Sequence, residues 1–199
     1  MKWARAVHHV EALAQSCAEM AGGPESIFAL RVVELWAVGD ILGAPRDLDW
    51  VTVGLCVDQP VEDVPWWSEP RGAEHWAHAT RLAKNPVLPW WRSTRAPVWN
   101  HRIQRPVLVW DLADGVRESA LAALAEGRGA EIGLAAPEPG EYAARLREEL
   151  AVSLAALRGH TQRYEDKRWS PGKLAPIADD LWRSADGYLD VLSAVHEGQ

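Results

Sequence analysis

Apolar residues near the start of the chain recur at helical spacing: Trp3, Ala6, Val7, Val10, Leu13, Ala14 and Cys17, with Arg5, His9, Glu11 and Gln15 largely off that stripe. This predicts an amphipathic helix over 3–21, stopped by Gly22-Gly23-Pro24. The period then changes. Residues 27–38 are rich in β-branched and aromatic side chains, and their second half, Val33 to Val38, predicts a strand ending at Gly39. After a short connection through Ile41-Leu42-Gly43-Ala44-Pro45 comes the densest apolar run of the chain. It predicts a strand over 47–57, buried on both faces, entered through Asp47 and left at Asp58. Residues 59–71, proline-rich and carrying Trp66-Trp67, read as a surface loop. Residues 73–84 read as a helix stopped near Asn85-Pro86. A second proline-punctuated stretch, Pro89 to Trp99, precedes a strand over 101–111 with Val107-Leu108-Val109-Trp110 as its core and a helix over 115–126.

Residues 127–140 hold four glycines and two prolines and mark the best boundary. Beyond it, Tyr142, Leu146, Leu150, Leu154, Leu157 and Tyr164 line one face of a helix over 141–168. Leu174, Ile177, Leu181, Trp182, Ala185, Leu189 and Leu192 do so over 171–195. The fold class is therefore α+β: a small mixed sheet with flanking helices over 1–135, then a C-terminal helical hairpin over 136–199 packed back on it.

Composition narrows the function classes. The 199 residues are 48% hydrophobic and 25% charged, as in a folded globular protein, and the net charge of −7 argues against bulk, sequence-independent nucleic-acid binding, which needs a basic surface, while leaving room for a local basic patch. No apolar run reaches the roughly 18 residues of a membrane span, and the N-terminus lacks the apolar core of a signal peptide. Cys17 and Cys56 are too few for a disulfide framework; they read as reduced, buried thiols, in keeping with a cytoplasmic location. The excess of Arg over Lys and the abundance of Ala point to a GC-rich bacterial genome.

The candidate chemistry centres on Asp47 and Asp49. Residues two apart on a strand share a side, so Asp47 and Asp49 present two carboxylates together while Leu48 turns to the core. Paired acids repel unless they are solvated or neutralised by a cation such as Mg²⁺. A helix, a strand ending in Gly39, a short connection and then Asp-Leu-Asp opening a buried strand together resemble the nucleotidyltransferase superfamily, particularly its minimal bacterial branch. The resemblance implies that Gly39 lets a nucleotide phosphate approach the backbone, with Asp40 and Arg46 beside it. It further implies that Asp47, Asp49 and a third acid, Asp111, hold Mg²⁺ and catalyse transfer of a nucleotidyl group from a nucleoside triphosphate. The C-terminal hairpin resembles the helical piece that often follows this core. The chain as a whole also resembles a family of actinobacterial proteins, which implies no activity. Asp40 stands where the superfamily has serine, and the small-Arg-Gly pattern after that serine is absent. Two further readings therefore stay open: a catalytically inactive binding or partner protein on the same scaffold, and an unrelated small-molecule enzyme whose site lies between the Trp loops and the helical hairpin.

Three other features admit two readings each. Trp66-Trp67, Trp90-Trp91 and Trp99 either stack on a base or sugar or plug gaps between loops and sheet, whereas Trp3, Trp36, Trp110 and Trp182 lie on periodic faces and read as core. His75 and His78, three apart with His101 further on, are metal-ligand candidates or surface histidines. Arg92, Arg95, Arg102 and Arg105 hold a triphosphate or anionic partner, or form a solvated loop. The mixed charges Arg163, Glu165, Asp166, Lys167, Arg168 and Lys173 suit a helix end.

Overall fold

The first helix, α1 (Trp3–Ala21), buries Ala6, Val7, Val10, Leu13, Ala14 and Cys17, the stripe expected from the sequence. In this computed structural model residues 1–22, 30–170, 172 and 174–197 are described; Gly23-Pro24, Ile27, Pro171 and Lys173 lie outside them. Strand β1 (Val32–Val38) leads through a 3-10 turn, Gly39–Leu42, towards β2 (Val51–Val57). The expected strand start is corrected here. Residues 47–50 are not part of β2, because the Leu48 backbone pairs with Met1 rather than with a strand: its N–H donates to the Met1 carbonyl at 2.9 Å, and its carbonyl accepts from the N-terminal ammonium.

Helix α2 (Ala73–Ala79) is shorter than expected and ends where Arg81 takes a positive φ of 57° before a 3-10 turn, Leu82–Lys84. A strand then follows where a loop was expected, β3 (Val87–Ser93). It pairs in parallel with β2 from Val51↔Val87 to Val57↔Ser93 and forms one edge of the sheet. An edge position tolerates Pro89, whose missing N–H can face away from the ladder. Strand β4 (Val107–Asp111), the two-residue β5 (Gly115–Val116), α3 (Glu118–Ala125) and the single turn α4 (Gly129–Ile132) complete the first part. The sheet order is β3-β2-β1-β4-β5, with every pair but β2–β3 antiparallel. Helices α5 (Pro139–Lys167) and α6 (Leu174–Glu197) pack together as the C-terminal helical pair. No described helix is long and apolar enough to cross a membrane.

Alternation along the strands divides the interior into two cores. Leu35, Ala37, Val51, Val53, Leu55, Val57 and Trp91 pack with α1 and α3. Trp36, Val38, Cys56, Trp66, Val98, Ile103 and Val191 form the second core, towards α5 and α6. Cys17 and Cys56 are free and buried, and burial pushes both thiols up, so they stay protonated.

Where α6 crosses the Trp66-Trp67 loop, Gly187 allows the two backbones to approach. A Cβ there would lie 2.4 Å from the Trp66 carbonyl oxygen. Gly→Ala inside a helix normally gains about 1 kcal/mol from propensity. Gly187→Ala reverses the sign through overpacking, costing about 1–3 kcal/mol in urea denaturation. A more stable variant would show that the loop yields freely.

Candidate functional site

The acid pair lies at one end of the sheet. Val38 ends β1, and Gly39 adopts φ +72°, a conformation open to glycine, so that Ile41 and Leu42 can turn into the core. Asp40 remains exposed and pairs with Arg46 at 2.6 Å. Leu48 is buried while Asp47 and Asp49 stay in solvent, followed by Trp50, also exposed.

Asp111 lies at the other end. It ends β4 opposite Glu34, near the start of β1, whereas β2 lies against the Val38 end through Val38↔Thr52. Glu34 to Val38 alone spans about 13 Å of strand, and Asp47 and Asp49 lie beyond it. Asp111 serves as a turn residue: its Oδ1 accepts the N–H groups of Ala113 and Asp114 at 2.9 and 2.8 Å, and Arg117 Nε donates to Oδ2 at 3.0 Å. Burial alone would raise its pKa, but these hydrogen bonds and the Arg117 charge pull it below the ordinary carboxylate value. The three aspartates are therefore not brought together, and they do not fit a shared Mg²⁺ site. Strand β3, the parallel neighbour of β2, carries no carboxylate. Among the described residues no three His, Cys, Asp or Glu side chains converge to hold a metal ion.

The densest polar arrangement lies elsewhere, between the sheet and the helical pair. Arg92 faces the pair because it alternates with Trp91 and stands opposite Cys56. From α5, Arg145, Glu149 and Ser153 project on one stripe, i, i+4 and i+8, all buried. Arg92 forms an ion pair with Glu149, the two side chains being 3% and 4% exposed, and Arg145 reaches the same carboxylate at 3.5 Å. Asn100 Nδ2 donates to Glu149 at 3.1 Å, while its Oδ1 accepts the N–H groups of Arg102 and Ile103.

A second centre is Asp190 of α6. Its carboxylate accepts from Trp66 Nε1 at 2.8 Å, Trp67 Nε1 at 3.4 Å, His101 Nε2 at 2.7 Å and Arg102 Nε at 3.1 Å. Asp190 thus ties α6 to two proline-rich loops at once. His101, Arg102, Tyr142, Asp190, Ser193 and Glu197 border a cleft of about 380 Å³ beside it. A larger cleft of about 740 Å³, bordered by Glu62, Arg71, His160, Arg163 and Arg183 among others, runs between the 59–71 loop and the helical pair.

These contacts decide the open readings. The tryptophans of the loops plug gaps: Trp66 and Trp91 are buried, Trp66 packs against Trp67, Trp90 and His101, and Trp99 stacks on Tyr142. The arginines do not form one basic patch, since Arg92 and Arg102 meet Glu149 and Asp190, Arg95 lies 3.8 Å from Asp58, and Arg105 donates to the Ala130 carbonyl. His75 and His78 border a cleft along α2, away from His101. Trp182 corrects an expectation: it is 65% exposed on the outer side of α6, as is Leu189 at 56%.

A family model, described as a domain of unknown function (DUF7711), matches residues 1–197. The chain belongs to the DUF7711 family. The match runs through both the sheet and the helical pair, so the Glu149 and Asp190 networks that join them lie within one family unit. No curated protein and no solved structure matches the chain.

Proposed function

We propose that the protein is a binding protein on a nucleotidyltransferase-like scaffold, without transfer activity of its own. The observation that carries this reading is the placement of Asp111 at the sheet end opposite Asp47 and Asp49, bound to Arg117. In-line transfer assisted by two metals needs its acids around ions about 4 Å apart. Asp40 supports the same reading, because it sets a carboxylate beside Gly39 where phosphates would lie and engages the nearby cation, Arg46.

The test is thermal unfolding with each of the four nucleoside triphosphates, with and without Mg²⁺, alongside a pyrophosphate-release assay. The midpoint is expected to move by less than about 1 °C and no pyrophosphate to appear. A Mg²⁺-dependent shift that disappears in Asp47→Asn/Asp49→Asn would restore the enzyme reading.

The outer face of α6 favours a protein partner as what is bound. Trp182 and Leu189 lie seven residues apart and so share a side, with Asp179 and Asp186 exposed beside them. An amphipathic helix with Lys or Arg flanking its apolar stripe is complementary to this face in both respects. A synthetic Leu-heptad peptide with Lys flanks should bind the native chain and lose at least tenfold in affinity for Trp182→Ala/Leu189→Ala. Equal binding to both, or equal binding of a Glu-flanked peptide, rules this surface out.

A further inference from the structure

The cleft of about 740 Å³ between the 59–71 loop and the helical pair lies within the size range of small-molecule sites. Along α5 it is bordered by one helix face, Ala156, Gly159, His160 and Arg163, at i, i+3, i+4 and i+7. Glycine is, after proline, the residue least suited to a helix interior. At Gly187 the fold requires it, because the Trp66 carbonyl lies where a Cβ would stand. At Gly159 no described atom comes within 4 Å of that position, and the residue borders the cleft. Packing within the chain therefore does not explain this glycine, whereas an occupant lying against the α5 backbone does.

His160 is oriented from behind. Its Nδ1 lies 3.0 Å from the Asp180 carbonyl oxygen and 2.8 Å from Ser184 Oγ, both on α6. A carbonyl only accepts, so Nδ1 carries the hydrogen, and in the neutral ring Nε2 is a bare acceptor with no partner among the described residues. Of the charges bordering the cleft, Arg163 is matched by Asp180 at 3.5 Å and Arg183 by Glu69. Arg71, Glu62 and Asp63 have no side-chain partner among the described residues. The unmatched set is thus one guanidinium and two carboxylates, and this acid excess disfavours phosphate or a nucleotide. We propose that the cleft binds a free basic amino acid of the lysine or arginine class, its carboxylate on Arg71 and its cationic groups on Glu62 and Asp63, with His160 Nε2 accepting from one of its N–H groups. Such a ligand carries one carboxylate and two cationic groups, the complement of the unmatched set. Trp182 and Leu189 do not border the cleft, so this site and the outer face of α6 stand or fall separately.

Calorimetric titration of the full chain with L-lysine and L-arginine at constant ionic strength tests this. At least one of them should bind saturably. Hexanoate, which lacks the amino groups, and cadaverine, which lacks the carboxylate, should each bind at least about tenfold more weakly, the loss of one charge-assisted contact. Arg71→Gln, a change at an exposed position, should weaken the amino acid by about tenfold. Gly159→Leu should raise the unfolding midpoint by about 2–4 °C through helix propensity while abolishing the binding. That pairing separates a filled site from a damaged fold. No saturable binding of either amino acid overturns the proposal, as does equal binding of cadaverine or undiminished binding to Gly159→Leu. If Gly159→Leu folds poorly, Arg71→Gln decides alone, and an unchanged affinity there overturns the proposal.

Discussion

Asp190→Ala is expected to lower stability by about 3–5 kcal/mol in urea denaturation, among the largest losses available to a single substitution in this chain. The carboxylate accepts from Trp66, Trp67, His101 and Arg102, and its removal leaves two indole N–H groups, a buried imidazole and a guanidinium without their acceptor. A loss below about 1 kcal/mol would mean that apolar contacts of the second core hold α6 in place without it. The same contacts set an acid limit. Burial opposes ionisation of Asp190, but hydrogen bonds from Arg102, Trp66 and His101 outweigh it and hold the carboxyl far below the usual carboxylate range. A carboxyl whose folded pKa is depressed contributes fully above its unfolded value, about 3.9, and less as pH falls towards the folded value. The native chain should therefore lose stability steeply below about pH 4, and Asp190→Ala should show a shallower slope there. Parallel slopes would assign the acid sensitivity to other groups.

Glu149→Ala is the second large effect, about 3–5 kcal/mol, because it leaves the buried Arg92 without its carboxylate and Arg145 with only the exposed Glu148. The informative comparison is the triple replacement Arg92→Met/Arg145→Met/Glu149→Leu. Removing all three buried charges also removes their desolvation cost, and the Asn100 amide loses its Glu149 acceptor in both variants, so the triple variant should be more stable than the single one. Urea denaturation of both decides the matter. A triple variant less stable than Glu149→Ala would show that the pairs contribute more than hydrocarbon of similar volume. Either order locates the source of cohesion between sheet and helical pair.

The sequence revealed the elements whose burial is one-sided and periodic. The stripe of α1 and the β-branched runs of β1 and β2 needed no tertiary knowledge, because each repeats the period of its own backbone. Strand β3 lacks that signal: Pro89 and Trp90-Trp91 interrupt alternation, and its identity depends on pairing with residues 51–57, more than thirty positions earlier. Trp182 misled because Leu181 and Ala185 beside it also fit a helical stripe, and a difference of one residue, 100° of rotation, separates the packed side from the open one. Asp47-Leu48-Asp49 correctly indicated an inward leucine between outward acids, but not that Leu48 is fixed by the backbone of Met1. The two polar centres were the least legible. Arg145 and Glu149 have the i, i+4 spacing of an ordinary solvated pair, and the partners of Asp190 lie 88 to 124 residues away in the chain.

Both open edges of the sheet are poor templates for another strand. β5 offers only two residues, fewer than a stable strand pairing needs, and the ladder of β3 is interrupted at Pro89, which has no N–H to donate. An apolar strand such as β2 has a strong tendency to propagate hydrogen bonding from chain to chain when its edge is free. Here it is enclosed between β1 and β3, and the surfaces left at the rim cannot extend the ladder. The arrangement keeps a tryptophan-rich, β-branched interior from becoming a route to fibrous aggregation while the chain is folded.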